Sequence, residues 1–142
     1  MLERLLIACL LIVVGLVSYR GLKWWCLHRA CRLGAQDPLL STFVPGRPGI
    51  LYFTSEACSA CRTQQQPALA RLQAGFGQEQ VQIIRVDADH HLPDAERWGV
   101  MSLPTTFVLD RQGLPKAVNY GVASAEKLGR QLQEIAGLSA KG

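Results

Sequence analysis

Hydrophobic residues in this chain form one long run, then a broken stretch, then a regular succession of short clusters. Residues 5–19 read Leu-Leu-Ile-Ala-Cys-Leu-Leu-Ile-Val-Val-Gly-Leu-Val-Ser-Tyr, without a charge. As a helix they rise about 22 Å, short of the roughly 30 Å hydrocarbon core of a bilayer. Arg4, Arg20 and Lys23 flank the run and can snorkel, and Leu22 with Trp24 and Trp25 adds an interfacial band. The pattern predicts a single N-terminal transmembrane helix over residues 1–22. A cleaved signal sequence is the weaker alternative, because the segment before the run is barely basic and Leu16-Val17-Ser18 is a poor cleavage site. A buried core helix is the third reading.

Residues 23–38 read as a juxtamembrane linker. Residues 21–32 have the composition of an amphipathic helix lying on a membrane surface. Gly34, Pro38, Pro45-Gly46 and Pro48-Gly49 then interrupt the chain. Leu39, Leu40, Phe43 and Val44 supply the first packed element of a domain over 39–138, with 139–142 left as a tail.

From Gly49 the pattern becomes regular. The apolar run Ile50-Leu51-Tyr52-Phe53 predicts a buried strand over 49–53. Residues 58–74 predict a helix, kinked at Pro67, with Leu69, Leu72 and Phe76 on its core side. Val81-Gln-Ile-Ile-Arg-Val86 predicts a second strand. Strand, helix, strand at this spacing is a βαβ unit, so the two strands should be parallel. A short helix over 93–98 ends at Gly99. Strands over 105–110 and 116–120 form a hairpin, and Ser124 caps a final helix carrying Leu128, Leu132 and Ile135 at helical spacing. The fold class is α/β, with a central mixed sheet and helices on both faces.

The net charge of +4 is uneven. All of it lies before residue 37, where Arg4, Arg20, Lys23, Arg29 and Arg32 face only Glu3; the remainder is balanced. Basic residues beside an apolar run are a membrane-flank pattern, and give no reason to invoke nucleic acid. Four of the five basic residues follow the run, so the positive-inside rule puts the domain on the cytoplasmic side of a single-pass membrane protein, with the extracytoplasmic side as the alternative.

The five cysteines comprise Cys9 in the apolar run, expected to be an inert buried thiol, and two pairs. Cys26 and Cys31 would be separated by about 7.5 Å along a helix, beyond the ~7 Å Cα limit for a disulfide. They read as interfacial thiols near the bilayer, with a second redox pair, or lipidation of Cys26, as alternatives. Cys58 and Cys61 differ in kind: a buried strand and the polar turn Thr54-Ser55-Glu56 deliver them to the start of a helix.

A helix N-terminus stabilises a thiolate. Cys58 is placed to accept N–H bonds from Ala60 and Cys61, with Arg62 adding positive charge. Cys61, one turn further in, is more shielded. The expected roles follow: Cys58 attacks a substrate disulfide, and Cys61 attacks the resulting mixed disulfide. Half of a zinc site would need two further ligands that the sequence does not supply at suitable spacing. His90 and His91, beside Asp87 and Asp89, read as a solvated loop, and Trp98 and Tyr120 as packing residues.

Residues 39–138 resemble thioredoxins. The likeness rests on Phe53-Thr-Ser-Glu-Ala-Cys-Ser-Ala-Cys-Arg62, on Val86-Asp-Ala-Asp89 followed by Trp98-Gly-Val-Met-Ser-Leu-Pro-Thr-Thr-Phe107, and on Gly113 and Gly121. The resemblance implies a thioredoxin fold and a redox-active Cys58–Cys61 disulfide as the only cofactor. It implies a cis Leu103–Pro104 bond packed against that disulfide, with the proline keeping metals from the thiols. Substrate contacts fall on the Leu103 backbone, Pro104, Ala57, Ser59 and Ala60. Three departures stand out. Ala57 replaces the usual tryptophan, Ser59-Ala60 replaces the usual Gly-Pro, and Tyr52 replaces the buried acid that assists proton transfer at the second cysteine.

The expected function is a membrane-tethered thiol–disulfide oxidoreductase acting on protein disulfides or dithiols and recharged by a redox partner. Its rivals are a tethered client-binding module with incidental thiols and a membrane-bound metal-binding protein.

Overall fold

The structure, a computed structural model, describes residues 1–33 and 37–138. In chain order it contains α1 (Leu2–Leu33), a 3-10 turn (Pro38–Leu40), β1 (Gly49–Thr54), a π-turn (Cys61–Gln65) leading into α2 (Gln66–Phe76), β2 (Gln82–Asp87), α3 (Leu92–Arg97), β3 (Thr105–Leu109), β4 (Pro115–Tyr120) and α4 (Ala125–Ala136). The tail expected over 139–142 and the break expected at Gly34 lie outside the described residues.

The four strands form one sheet in the order β2-β1-β3-β4. β1 runs parallel to β2, with Phe53 opposite Val86, and antiparallel to β3, with Tyr52 opposite Thr106. β3 and β4 are the expected hairpin, with Thr105 opposite Tyr120. β1 is central and buried along its whole length. That explains its unbroken apolar run: a strand covered on both faces has no solvent side to make polar.

Alternation along the strands divides the core in two. Leu51, Phe53, Phe107, Leu109 and Val118 point to one face, where they meet Ala95 of α3, Trp98 and Ala30 of α1. Trp98 is fully buried and packs edge-on against Phe107, with ring centroids 5.1 Å apart. Ile50, Tyr52 and Val108 point to the other face, where they meet Leu69, Leu72 and Phe76 of α2, Leu128 and Leu132 of α4, and Cys61. Ser124 caps α4 by accepting from the Lys127 amide.

α1 departs from the expected boundary between anchor and linker. It continues through residue 22 to Leu33 as one helix. Its apolar first part packs against nothing among the described residues, which removes the core-helix reading, and it is long and apolar enough to cross a membrane. Its last turns belong to the domain. Cys26 and Ala30 are buried, and Leu27 packs against the same cluster. The Cys31 thiol donates to the Pro115 carbonyl at 2.9 Å. Small side chains at 26 and 30 allow this close approach. Gly99, at φ +74°, completes it: a Cβ there would sit 3.4 Å from Cys26 Sγ. Cys26 and Cys31 therefore lie between α1 and the domain, while Cys9, expected to be buried, is exposed on the free part of α1.

The chain after α1 is pinned by an ion pair between a buried carboxylate and a half-buried guanidinium. Asp37 caps the 3-10 turn by accepting from the Leu39 amide, and both its oxygens take hydrogen bonds from Arg97 at the end of α3. Leu40 is buried behind this pair, with Leu39 and Phe43 partly covered, whereas Val44 is exposed.

Candidate active site

The strand–turn–helix connection after β1 forms the site. The chain leaves the sheet at Thr54, turns through Glu56 and Ala57, and starts helical geometry at Ser59. Cys58 and Cys61 are joined by a disulfide, with their Cα atoms 5.3 Å apart. Cys58 is half-buried and Cys61 is fully buried. The Cys61 amide donates to Cys58 Sγ at 3.2 Å, so one of the two N–H groups expected at this sulfur is aimed at it. Arg62 donates from its guanidinium to the Glu56 carbonyl, which fixes a positive charge against the turn.

Pro67 shapes the helix below. It lacks the N–H that would bond the Thr63 carbonyl, and its ring crowds that carbonyl. The turn before it widens: the Gln66 amide bonds the Cys61 carbonyl, five residues back. The expected kink is thus taken up as a π-turn that begins at the buried cysteine.

That carbonyl also accepts from the Tyr52 hydroxyl at 3.3 Å, and the hydroxyl lies 3.1 Å from Thr54 Oγ1. Burial pushes the Tyr52 phenol above its usual range, so it is a neutral donor at physiological pH. Gln65, one turn beyond Cys61, is fully buried. Its amide makes two hydrogen bonds with the Ala123 backbone, accepting from N at 2.8 Å and donating to O at 3.1 Å. This clamp ties the site helix to the segment entering α4. A signal for it exists in the sequence: Gln65 shares the apolar stripe of Cys61, Leu69, Leu72 and Phe76.

The Leu103–Pro104 bond is cis. Pro104 is buried and leads directly into β3, the antiparallel neighbour of β1. Leu103 is half-buried and packs against both core clusters, including the one that holds Cys61. A shallow apolar groove beside it is lined by Leu92, Val100, Met101 and Leu103, with Asp89 and Glu96 at its rim. Ala57 and Ser59 are exposed and Ala60 is half-buried. His90 and His91 pair separately with Asp87 and Asp94, and among the described residues no three His, Cys, Asp or Glu side chains converge as a metal site would require.

A mixed sheet, helices on both faces, a cis-proline entering β3 and a disulfide at the start of a helix define a thioredoxin fold. The chain belongs to the thioredoxin-like TraF family, described as F plasmid transfer operon protein, whose profile matches residues 44–133. It is similar to a thioredoxin-like protein of Synechocystis, 32% identical over 87 residues that cover 61% of this chain and 80% of the relative. Among solved structures, thioredoxin-2 of a malaria parasite superposes with a TM-score of 0.56 at 25% identity, over 62% of this chain and 82% of the other. The thioredoxin of Fasciola hepatica does so with a TM-score of 0.54 at 23% identity, over 64% and 83%.

Proposed function

We propose that this chain is a membrane-tethered thiol–disulfide oxidoreductase that exchanges disulfides with protein substrates through Cys58 and Cys61. The observation that carries this reading is the unequal exposure of the two bridged sulfurs at the start of one helix. In the reducing direction, the Cys58 thiolate attacks one sulfur of a substrate disulfide. A Cys58–substrate bond forms, and the other substrate sulfur leaves as a thiolate. Cys61 then loses its proton and attacks Cys58 Sγ. The Cys58–Cys61 bond re-forms, the second substrate thiolate leaves, and the substrate has gained two electrons. A dithiol partner must reduce the bridge again. The same steps reversed oxidise a substrate dithiol.

The exposed Ala57 and Ser59, Ala60, the Leu103 backbone and Pro104 are the proposed substrate contacts. The apolar groove beside Leu103 offers room for a side chain of the substrate. The tether is the free part of α1. The basic residues that follow it, Arg20, Lys23, Arg29 and Arg32, favour a cytoplasmic domain.

Trapping tests the reading. Cys61→Ser should accumulate mixed disulfides through Cys58, because the resolving thiol is gone, whereas Cys58→Ser should neither trap nor exchange. Catalysis that survives Cys58→Ser would refute the assignment of roles, and absence of exchange in the parent protein would leave the binding-module reading. Thiol labelling on intact cells reads the membrane side.

A further inference from the structure

The end of α1 presents two unlike faces. One carries Cys26, Leu27 and Ala30 and is packed on the domain. The other carries Trp24 and Trp25, 67% and 52% exposed, with His28, Arg29 and Arg32. These five side chains form a groove. The Trp24 and His28 rings stack, with centroids 5.2 Å apart and planes within 9°. The Arg29 guanidinium lies over the Trp25 ring at 5.5 Å. Pairing at i and i+4 stands the aromatic planes up as walls, with cationic groups at the end farther from the apolar run.

No acidic residue occurs between Glu3 and Asp37. Among the described residues, neither Arg29 nor Arg32 has a carboxylate partner within 4.0 Å. Position along the helix supplies the missing anion. From residue 5, where the apolar run begins, Trp24 and Trp25 lie about 29–30 Å along α1, the thickness of the hydrocarbon core. His28, Arg29 and Arg32 follow within roughly 12 Å more, at the depth of lipid headgroups. Tryptophan at the boundary with arginine just beyond it matches the chemistry of a phospholipid: acyl ester below, phosphodiester above.

We infer that the groove of Trp24, Trp25, His28, Arg29 and Arg32 is a binding site for the headgroup of an anionic phospholipid. The inference rests on the membrane-tether reading and adds to it the class of lipid and the residues that hold it. Because the opposite face of the same turns is packed on the domain, a lipid bound here also sets how the domain stands on the bilayer.

The test uses the full chain in phosphatidylcholine vesicles doped with brominated-chain phosphatidylglycerol or brominated-chain phosphatidylcholine at equal mole fraction. Tryptophan quenching reports which lipid occupies the groove. Brominated phosphatidylglycerol should quench more strongly, and the preference should fall about fivefold for each arginine removed in Arg29→Gln and Arg32→Gln, as expected for one basic side chain at an anionic surface. Equal quenching by both lipids, with the protein still floating with the vesicles, would overturn the lipid site and leave the tether standing. Failure to float with either vesicle would overturn the tether and the site together. A preference undiminished in the double variant would overturn the assignment to these arginines.

Discussion

The Tyr52 hydroxyl donates to the backbone carbonyl of Cys61. It therefore holds the main chain beneath the buried sulfur, at the position where the family resemblance expects an ionisable acid. A neutral phenol bonded to a carbonyl takes no proton from a thiol. Tyr52→Phe should cost about 1 kcal/mol of stability, one net hydrogen bond, and leave the exchange rate and its pH profile within about twofold of the parent. Tyr52→Asp should speed resolution by Cys61 while lowering stability, because a carboxyl is buried. Denaturant titration and stopped-flow exchange separate the two effects. A steep loss of exchange in Tyr52→Phe would show that the phenol takes part in the chemistry.

The two thiols should react unequally once the bridge is reduced. Cys58 is half-buried and receives the Cys61 amide, whereas Cys61 has no exposed surface. Alkylation at neutral pH should modify Cys58 at least about tenfold faster, since both thiolate stabilisation and access favour it. Peptide mapping after a short pulse gives the ratio, and equal rates would contradict the proposed roles.

The Gln65–Ala123 clamp makes a separate demand. Gln65→Ala removes both partners of a buried amide and carbonyl at once, in addition to opening a cavity. A loss of about 2–4 kcal/mol is expected, with the transition still cooperative. Gln65→Met restores volume without hydrogen bonds and should recover only part of it. Full recovery would mean that packing, and not the clamp, secures this position.

Alkaline pH should loosen α1 from the domain. Burial raises the Cys31 thiol above its ordinary value of 9.0. Burial, followed by the neighbouring Cys26, raises the Tyr120 phenol well above its ordinary 10.0. Both groups are neutral acids at the α1–β4 contact, so the undocked state gives up its protons first. The docking free energy is complete below about pH 9 and is lost as pH rises towards and through the docked values. Thermal midpoints from about pH 8 to about pH 11 should decline, and Tyr120→Phe should decline less. An identical decline in that variant would assign the effect elsewhere.

Much of the fold was legible because its signals are local. The apolar run at Ile50–Phe53, the cysteine pair after it and the residues before Pro104 are each short contiguous stretches, and each constrains its own few neighbours. What the sequence concealed is long-range. Asp37 and Arg97 are 60 residues apart, and Gln65 and Ala123 are 58 apart, so no spacing links either pair. Gln65 was nevertheless visible as a polar residue on a core stripe. The continuation of α1 was hidden for another reason. Lys23, the tryptophans and Arg29 make residues 23–33 read as surface, and only the small residues Cys26 and Ala30 mark the face that docks. Pro67 signalled a distortion, but its form, a widened turn starting at Cys61, depends on the carbonyl shared with Tyr52.

α1 has 32 residues, hence a length of about 48 Å, and the structure shows no interruption along it. Its far end is packed on the sheet face opposite to the one that covers Cys61. For a tethered chain this is a mast without a swivel. A reactive sulfur on such a mount would move with the helix, keeping to a narrow range of heights set by the tilt of the mast. Partners anchored in the same membrane would then meet it by lateral drift, with the search reduced to two dimensions. A soluble partner would have to bring its disulfide down to that layer and approach from the side facing away from α1.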